Sequence, residues 1–164
     1  MTKGIVVYPQ RCTGCGQCLL SCSYAHEGVY WPTVARVQLV HFEERCLSVP
    51  MTCVYCEKPV CEEACPTGAM SHHPESGFAQ VSEAACIGCK ECANACPFGA
   101  AGFNPERHVA TRCDLCQGDP ECVKICPSGA IRYETLTMAM SERRRSRTLG
   151  WIWVQEDAER GKGS

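Results

Sequence analysis

The sequence predicts an α+β fold assembled from tandem βαβ modules, with a β-hairpin inserted after the first. Three observations carry that prediction. Sixteen of the 17 cysteines in this 164-residue chain fall into four groups of four. Short apolar runs of strand type flank those groups, beginning with GIVVYPQ and ending with AIRYE. The hydrophobic share is 45% with cysteine counted, but leaving out 17 cysteines of 164 residues lowers it to about 35%, thin for a core of ordinary side chains.

Each element follows from its local pattern. GIVVYPQ is a first strand, and group one comes next in CTGCGQCLLSC as Cys12, Cys15, Cys18 and Cys22. VARVQLVHF alternates apolar and polar residues and, with RCLSVPMTC, predicts the hairpin. Group two is Cys53, Cys56, Cys61 and Cys65, its middle spacer stretched to four residues. GFAQVSEAAC enters group three, Cys86, Cys89, Cys92 and Cys96, through another strand. Group four is Cys113, Cys116, Cys122 and Cys126, with a middle spacer of five residues, and AIRYE closes it.

The last spacer is three residues in every group, which sets the third and fourth cysteines on one helical face. Groups two to four finish alike, as CPTGAM, CPFGAA and CPSGAI. The proline biases the preceding cysteine away from the α region and ends the helix, and the GA segment leads into a strand. In group one Ser23 takes the place of that proline, so Tyr24, Ala25 and His26 are expected to continue the helix. Four related units in a short chain indicate duplication of a small module.

So much cysteine would suit a disulfide scaffold in a secreted chain. MTKGIVVYPQRC, however, has no apolar run of signal-peptide length, and the arginine run lies near the end rather than at a twin-arginine start. No stretch approaches the roughly 20 apolar residues of a membrane span. The expectation is a cytoplasmic chain, in which clustered thiols bind metal. Structural zinc uses two separated pairs and has no need of a tight CxxCxxC triplet, and adjacent CxxC steps bridge poorly as disulfides. C-x₂-C-x₂-C-x₃-C-P is instead the cubane iron–sulfur run of bacterial ferredoxins, in which the fourth cysteine serves the other cluster of a pair. Four sets predict four [4Fe–4S] clusters. Gly14, Gly16 and Gly88 let the backbone approach and turn amide N–H groups toward sulfur. The chain carries no Gly-rich phosphate loop, no Ser/His/Asp arrangement and no CxxxCxxC run, so a non-catalytic role is expected, with no nucleic acid and no membrane span.

CTGCGQCLLSCSYAHEG, CVYCEKPVCEEACPTGA, CIGCKECANACPFGA and TRCDLCQGDPECVKICPSGAI together resemble a known family. It comprises the four-cluster, bacterial-ferredoxin-like electron-transfer subunits of multi-subunit oxidoreductases. Dimethyl sulfoxide reductase, formate dehydrogenase, formate hydrogenlyase and carbon monoxide dehydrogenase systems have such subunits. Tungsten aldehyde oxidoreductases and benzoyl-CoA reductases have small polyferredoxin subunits of the kind. The resemblance runs from Ile5 to about Tyr133.

The resemblance implies that group one pairs with group four and group two with group three, in a pseudo-twofold arrangement. Cys12, Cys15, Cys18 and Cys126 would then hold cluster 1, and Cys22, Cys113, Cys116 and Cys122 cluster 2. Cys53, Cys56, Cys61 and Cys96 would hold cluster 3, and Cys65, Cys86, Cys89 and Cys92 cluster 4. The cluster domain would be residues 1–133, with one lobe from groups 12–22 and 113–126 and the other from groups 53–65 and 86–96. The implied function is electron transfer between a larger catalytic subunit, of tungsten or molybdenum aldehyde oxidoreductase type, and a second redox partner. A freely diffusing polyferredoxin, or a subunit of a hydrogenase, formate, carbon monoxide or benzoyl-CoA reductase system, is left open. So, from another class, is a structural zinc protein.

Charge adds to this reading. A cubane with four thiolates carries about −2, so four would add about −8 to the chain's own −2. Arg11, Lys90, Arg112 and Lys124 flank cysteines, either to raise cluster potentials or as solvated surface charges. His26, His41, His72, His73 and His108 are expected to be surface or hydrogen-bonding residues rather than ligands. Cys46 is left over, expected as a small buried hydrophobe on the hairpin. Trp31 and Tyr24 either cover a cluster or simply pack. Residues 134–164 form a C-terminal arm in which Arg143 to Arg147 precede WIWV, Trp151 to Val154. That pattern predicts docking on a partner or on a second copy, where head-to-tail contacts would build chains.

Overall fold

Strands occupy the short intervals around the cysteine groups, and each group carries an α-helix at its third cysteine. A computed structural model describes residues 3–56, 58–73 and 78–135. Along the chain run β1 (Lys3–Val7), α1 (Gln17–Glu27), β2 (Gln38–Phe42), β3 (Leu47–Met51), α2 (Val60–Glu63), β4 (Met70–His72), β5 (Ala79–Val81), α3 (Glu91–Ala95), β6 (Gly102–Asn104), β7 (Val109–Thr111), α4 (Glu121–Lys124) and β8 (Ile131–Thr135).

The strands form four two-stranded sheets, β1–β8, β2–β3, β4–β5 and β6–β7, all antiparallel. The strand–helix–strand order of the sequence is therefore present, but it builds ribbons rather than parallel crossovers. Helices of four or five residues are too short for a parallel connection, which takes about a dozen residues or more. β1 and β8 bring the two sequence ends together, with Lys3 opposite Thr135 and Val7 opposite Ile131. The expected hairpin is β2–β3, with Val40 opposite Val49.

Cys46 departs from expectation. It lies in the turn of that hairpin, exposed, with φ 48° after the 3₁₀ turn Glu43–Arg45. A tight turn at the tip of a two-stranded ribbon leaves nothing for the thiol to pack against.

The missing proline of group one has the predicted effect. α1 runs five residues past Cys22 and stops at Gly28, whose N–H bonds to the Tyr24 carbonyl at φ 70°. Ser23 is fully buried; its hydroxyl donates to Leu20 O at 3.0 Å and accepts the Trp31 N–H at 3.1 Å. In α3, which has the proline, Cys96 already caps the helix at φ −72°, ψ 112°.

Cysteine does much of the packing. One cluster of buried residues joins Ile5, Ala35, Val37, Leu115 and Ile131 to Cys18, Cys22, Cys113 and Cys122. Another consists of Met70, Cys92 and Ala110, with Cys61, Cys65 and Cys86 against it. α1 packs on α4 and α2 on α3. Among the described residues no helix is long and apolar enough to cross a membrane. Tyr24 is half exposed and stacks on Tyr30, with ring centroids 4.7 Å apart. Arg143 to Arg147 and Trp151 to Val154 lie outside the described residues.

Candidate metal centre

Every group opens with a CxxC turn, and in each the residue before the second cysteine has positive φ: Gly14 at 71°, Tyr55 at 50°, Gly88 at 69° and Leu115 at 58°. The turn aims both thiols to the same side, and only glycine takes that conformation without strain. Tyr55 and Leu115 hold it because their side chains are anchored elsewhere. The Tyr55 hydroxyl donates to Cys113 O at 2.6 Å, and Leu115 is buried in the core.

At Gly88 a Cβ would also sit 2.8 Å from His108 O, whereas at Gly16 it would meet nothing within 4 Å. Lys90, which occupies the position of Gly16 in group three, indeed keeps φ 63°. Gly88→Ala is therefore expected to destabilise the protein by at least about 2 kcal/mol, and Gly16→Ala by less. Thermal unfolding of the two loaded variants measures the difference.

Thiols from distant segments converge. Cys12, Cys15, Cys18 and Cys126 line one cavity together with Gly16, Pro127 and Ala130. Cys65, Cys86, Cys89 and Cys92 line a second with Ala69, Lys90 and Ala110. Burial pushes the Cys18 thiol up to about 11, and the neighbouring Cys12, Cys126 and Cys15 add to the shift. Burial raises Cys122 as well, helped by Cys113, Cys22 and Cys116. Cys61 is raised by burial, with Cys53 and Cys96 bearing on it, while Arg112 opposes. Cys56 lies with Cys53 on the wall of a further cavity. In the first two cavities the thiols are drawn three from one group and one from another.

The third and fourth cysteines of a group differ. Cys18, Cys61, Cys92 and Cys122, the third of each, are all pushed up, burial first. Cys22, Cys65, Cys96 and Cys126, the fourth of each, are all lowered, because hydrogen-bond donors outweigh burial. For Cys65, Cys96 and Cys126 those donors are mainly backbone amides of the CPxGA turn, such as Ala100 N at 3.3 Å from Cys96 Sγ. Positive φ at Gly68, Gly99 and Gly129 helps fold these amides into a nest that favours the thiolate.

Cys22 has no such turn and receives His26 and the Arg36 N–H instead, the latter at 3.2 Å. His26 Nδ1 donates to Cys22 O at 2.8 Å and Nε2 to Asp114 Oδ1 at 3.0 Å, and it also lies 3.9 Å from Cys116 Sγ. Both ring nitrogens face acceptors. Although burial opposes it, these contacts push the imidazole up to about 12. Arg36 Nη1 pairs with Asp114 Oδ2 at 3.1 Å.

Arg36 and Asp114 are the site residues that sequence reasoning missed, and His26, expected as a hydrogen-bonding residue, was not placed beside Cys22. The spacing of His26, four after Cys22 on a helix that continues, was the available signal. Asp114 and Arg36 are set beside it only by the tertiary fold. Of the four flanking cations, Arg112 alone is recorded touching a cysteine sulfur, at Cys53. Arg11 lies over the Tyr8 ring, Lys90 over the Phe103 ring, and Lys124 pairs with Asp119 and Glu121. His41 bonds Ser48 and His72 pairs with Glu62.

The donor chemistry fits iron–sulfur clusters. Soft thiol ligands converge, amides aim at sulfur, and Arg36, whose N–H bonds Cys22 Sγ, has a buried Nε without a partner among the described residues.

Comparison with known proteins agrees. A family described as 4Fe-4S dicluster domain matches residues 45–136, and one described as 4Fe-4S binding domain matches residues 9–25. The polyferredoxin-like subunit of aliphatic sulfonate oxidoreductase from Pyrococcus furiosus is 38% identical, over 71% of this chain and 66% of that one. An iron-sulfur protein of Rhodospirillum rubrum is 34% identical, over 70% of this chain and 69% of that one. The iron-sulfur subunit of arsenate respiratory reductase from Shewanella sp. (strain ANA-3) is 36% identical, over 56% of this chain and 41% of that one. The chain spans about two-fifths to two-thirds of the length of the first curated relatives it matches.

Proposed function

The chain belongs to the 4Fe-4S dicluster domain family, and from that premise we propose that it is a non-catalytic electron-transfer subunit holding four [4Fe–4S] clusters. One observation carries the reading: thiols of one group crowd a thiol of another, as Cys12, Cys15 and Cys18 do Cys126 and as Cys86, Cys89 and Cys92 do Cys65. In this reading Cys12, Cys15, Cys18 and Cys126 hold cluster 1, and Cys22, Cys113, Cys116 and Cys122 hold cluster 2. Cys53, Cys56, Cys61 and Cys96 hold cluster 3, and Cys65, Cys86, Cys89 and Cys92 hold cluster 4. The packing of α1 on α4 and of α2 on α3 supports two lobes within residues 1–133, related by a pseudo-twofold. Residues 134–164 form the docking arm.

The bound clusters supply reversible one-electron storage. The protein's own residues do the rest. The CPxGA amide nests, and His26 with Arg36 at Cys22, stabilise thiolates that must stay deprotonated to bind iron. Buried Cys18, Cys22, Cys113 and Cys122 exclude water from the first pair. The proposed partners are a larger catalytic oxidoreductase subunit, of tungsten or molybdenum aldehyde oxidoreductase type, and a second redox protein, in a cytoplasmic setting. The polyferredoxin-like subunit from Pyrococcus furiosus supports a place in such an assembly.

Anaerobic purification of the native protein tests this. The expected result is a brown protein, bleached by dithionite, with about 16 iron atoms per chain, travelling with a larger subunit in native mass measurement. Zinc in place of iron, or a colourless protein, would overturn the cluster assignment. A brown monomer that never co-purifies would leave a free carrier.

A further inference from the structure

One buried arginine gathers half-buried polar side chains around it, beside a cysteine sulfur. Arg112 is 3% exposed. Its Nε donates toward Cys53 Sγ at 3.5 Å, its Nη1 to Glu62 Oε1 at 2.7 Å and its Nη2 to His72 Nε2 at 3.1 Å. His72 Nδ1 in turn donates to Glu62 Oε1 at 2.6 Å, so His72 is the neutral tautomer with its proton on Nδ1. Arg112 also directly precedes Cys113, whose carbonyl takes the Tyr55 hydroxyl from the Cys53–Cys56 turn. The guanidinium therefore lies on the Cys53 sulfur, and the Arg112 backbone leads directly into Cys113 of another set. At Cys126 and Cys65, by contrast, the side chains against sulfur among the described residues are hydroxyls, Ser128 and Thr67, both at 3.7 Å.

We infer that Arg112 sets the potential of the cluster held by Cys53, Cys56, Cys61 and Cys96, keeping it above the value it would have without a buried cation beside Cys53. The inference rests on the four-cluster reading above. Reduction adds one electron, delivered from a redox partner through a neighbouring cluster, and no proton moves. The reduced cluster carries one more negative charge, so a nearby cation stabilises it more than the oxidised form. Arginine suits the task because its guanidinium does not deprotonate, even when buried. Glu62 offsets part of that charge, which gives a second substitution of opposite sign. Arg112 acts through Cys53 and is a positioning and tuning residue.

Potentiometric titration followed by EPR, on the protein purified with whatever partner accompanies it, tests this. Cys56→Ser identifies the cluster by altering its signal. Arg112→Gln is expected to lower the reduced-to-oxidised ratio of that cluster at least tenfold at fixed potential, about 59 mV for a one-electron couple. The other three should move by less than half as much. Glu62→Gln is expected to raise the same cluster. Unchanged potentials in Arg112→Gln with full iron, an equal shift of all four, or Glu62→Gln shifting the cluster downward would each overturn the inference. If Arg112→Gln does not fold, the sign of the Glu62→Gln shift decides alone. A wild-type iron count short of four clusters would instead sink the underlying reading, and the inference with it, before any titration.

Discussion

Stripping iron and sulfide from the protein under anaerobic conditions is expected to unfold it. α2, α3 and α4 have four, five and four residues, whereas isolated helices below about 12–15 residues are marginal in water. All eight described strands lie in two-stranded ribbons, which are also marginal alone. Four of the nine buried residues in the larger core cluster are cysteines assigned to iron. Once the clusters leave, those thiols surround voids, and the aliphatic remainder is Ile5, Ala35, Val37, Leu115 and Ile131. The loss should exceed the whole stability of an ordinary domain, about 5–15 kcal/mol, because cluster binding and folding are one equilibrium here. Far-UV circular dichroism and thermal scans before and after chelation measure it. A stripped protein that keeps its spectrum and a cooperative melt would show that the polypeptide core suffices.

Cys22→Ala is expected to disturb the cluster at the far end of the sequence and spare the one held by its own motif. Cys22 lies four residues after Cys18 on α1, yet their surroundings differ. Beyond burial, the neighbouring thiols that raise Cys122 include Cys113, Cys22 and Cys116, whereas those that raise Cys18 are Cys12, Cys126 and Cys15. Iron content should fall from about 16 to between about 12 and 15 per chain. The altered EPR signal should be the one that Cys116→Ala alters, and a different one from Cys12→Ala. If Cys22→Ala and Cys12→Ala change the same signal, group one encloses a single cluster and the sharing is wrong.

The two results bear on one question, since both ask how far the cysteine pattern dictates structure. β1, the β2–β3 hairpin, β5 and β8 were legible because apolar alternation and the flanking groups bound them. The extension of α1 past Cys22 was legible from the absent proline alone. The antiparallel pairing was not. Strand–helix–strand order reads the same for ribbons and crossovers, and only the length of the intervening helix decides. Cys46 was misjudged for a related reason: thiol composition says buried, but a hairpin tip offers no neighbours.

The sequence by itself determined the iron–sulfur chemistry and the fourfold repeat of cysteine groups, because cluster geometry demands thiols at fixed short spacing. The CPxGA turns, too, imply their amide nests locally. What only the tertiary structure decided is the charged surroundings. Arg11, Lys90, Arg112 and Lys124 look alike along the chain, yet Arg112 alone among them is buried with its guanidinium on a cysteine sulfur. Asp114 meets His26 across 88 positions, and Tyr55 reaches Cys113 across 58. Spacing along a chain fixes contacts made within a turn or a helix. Burial and electrostatics depend on which distant segments pack together, and those set what a charge does to a neighbouring cluster.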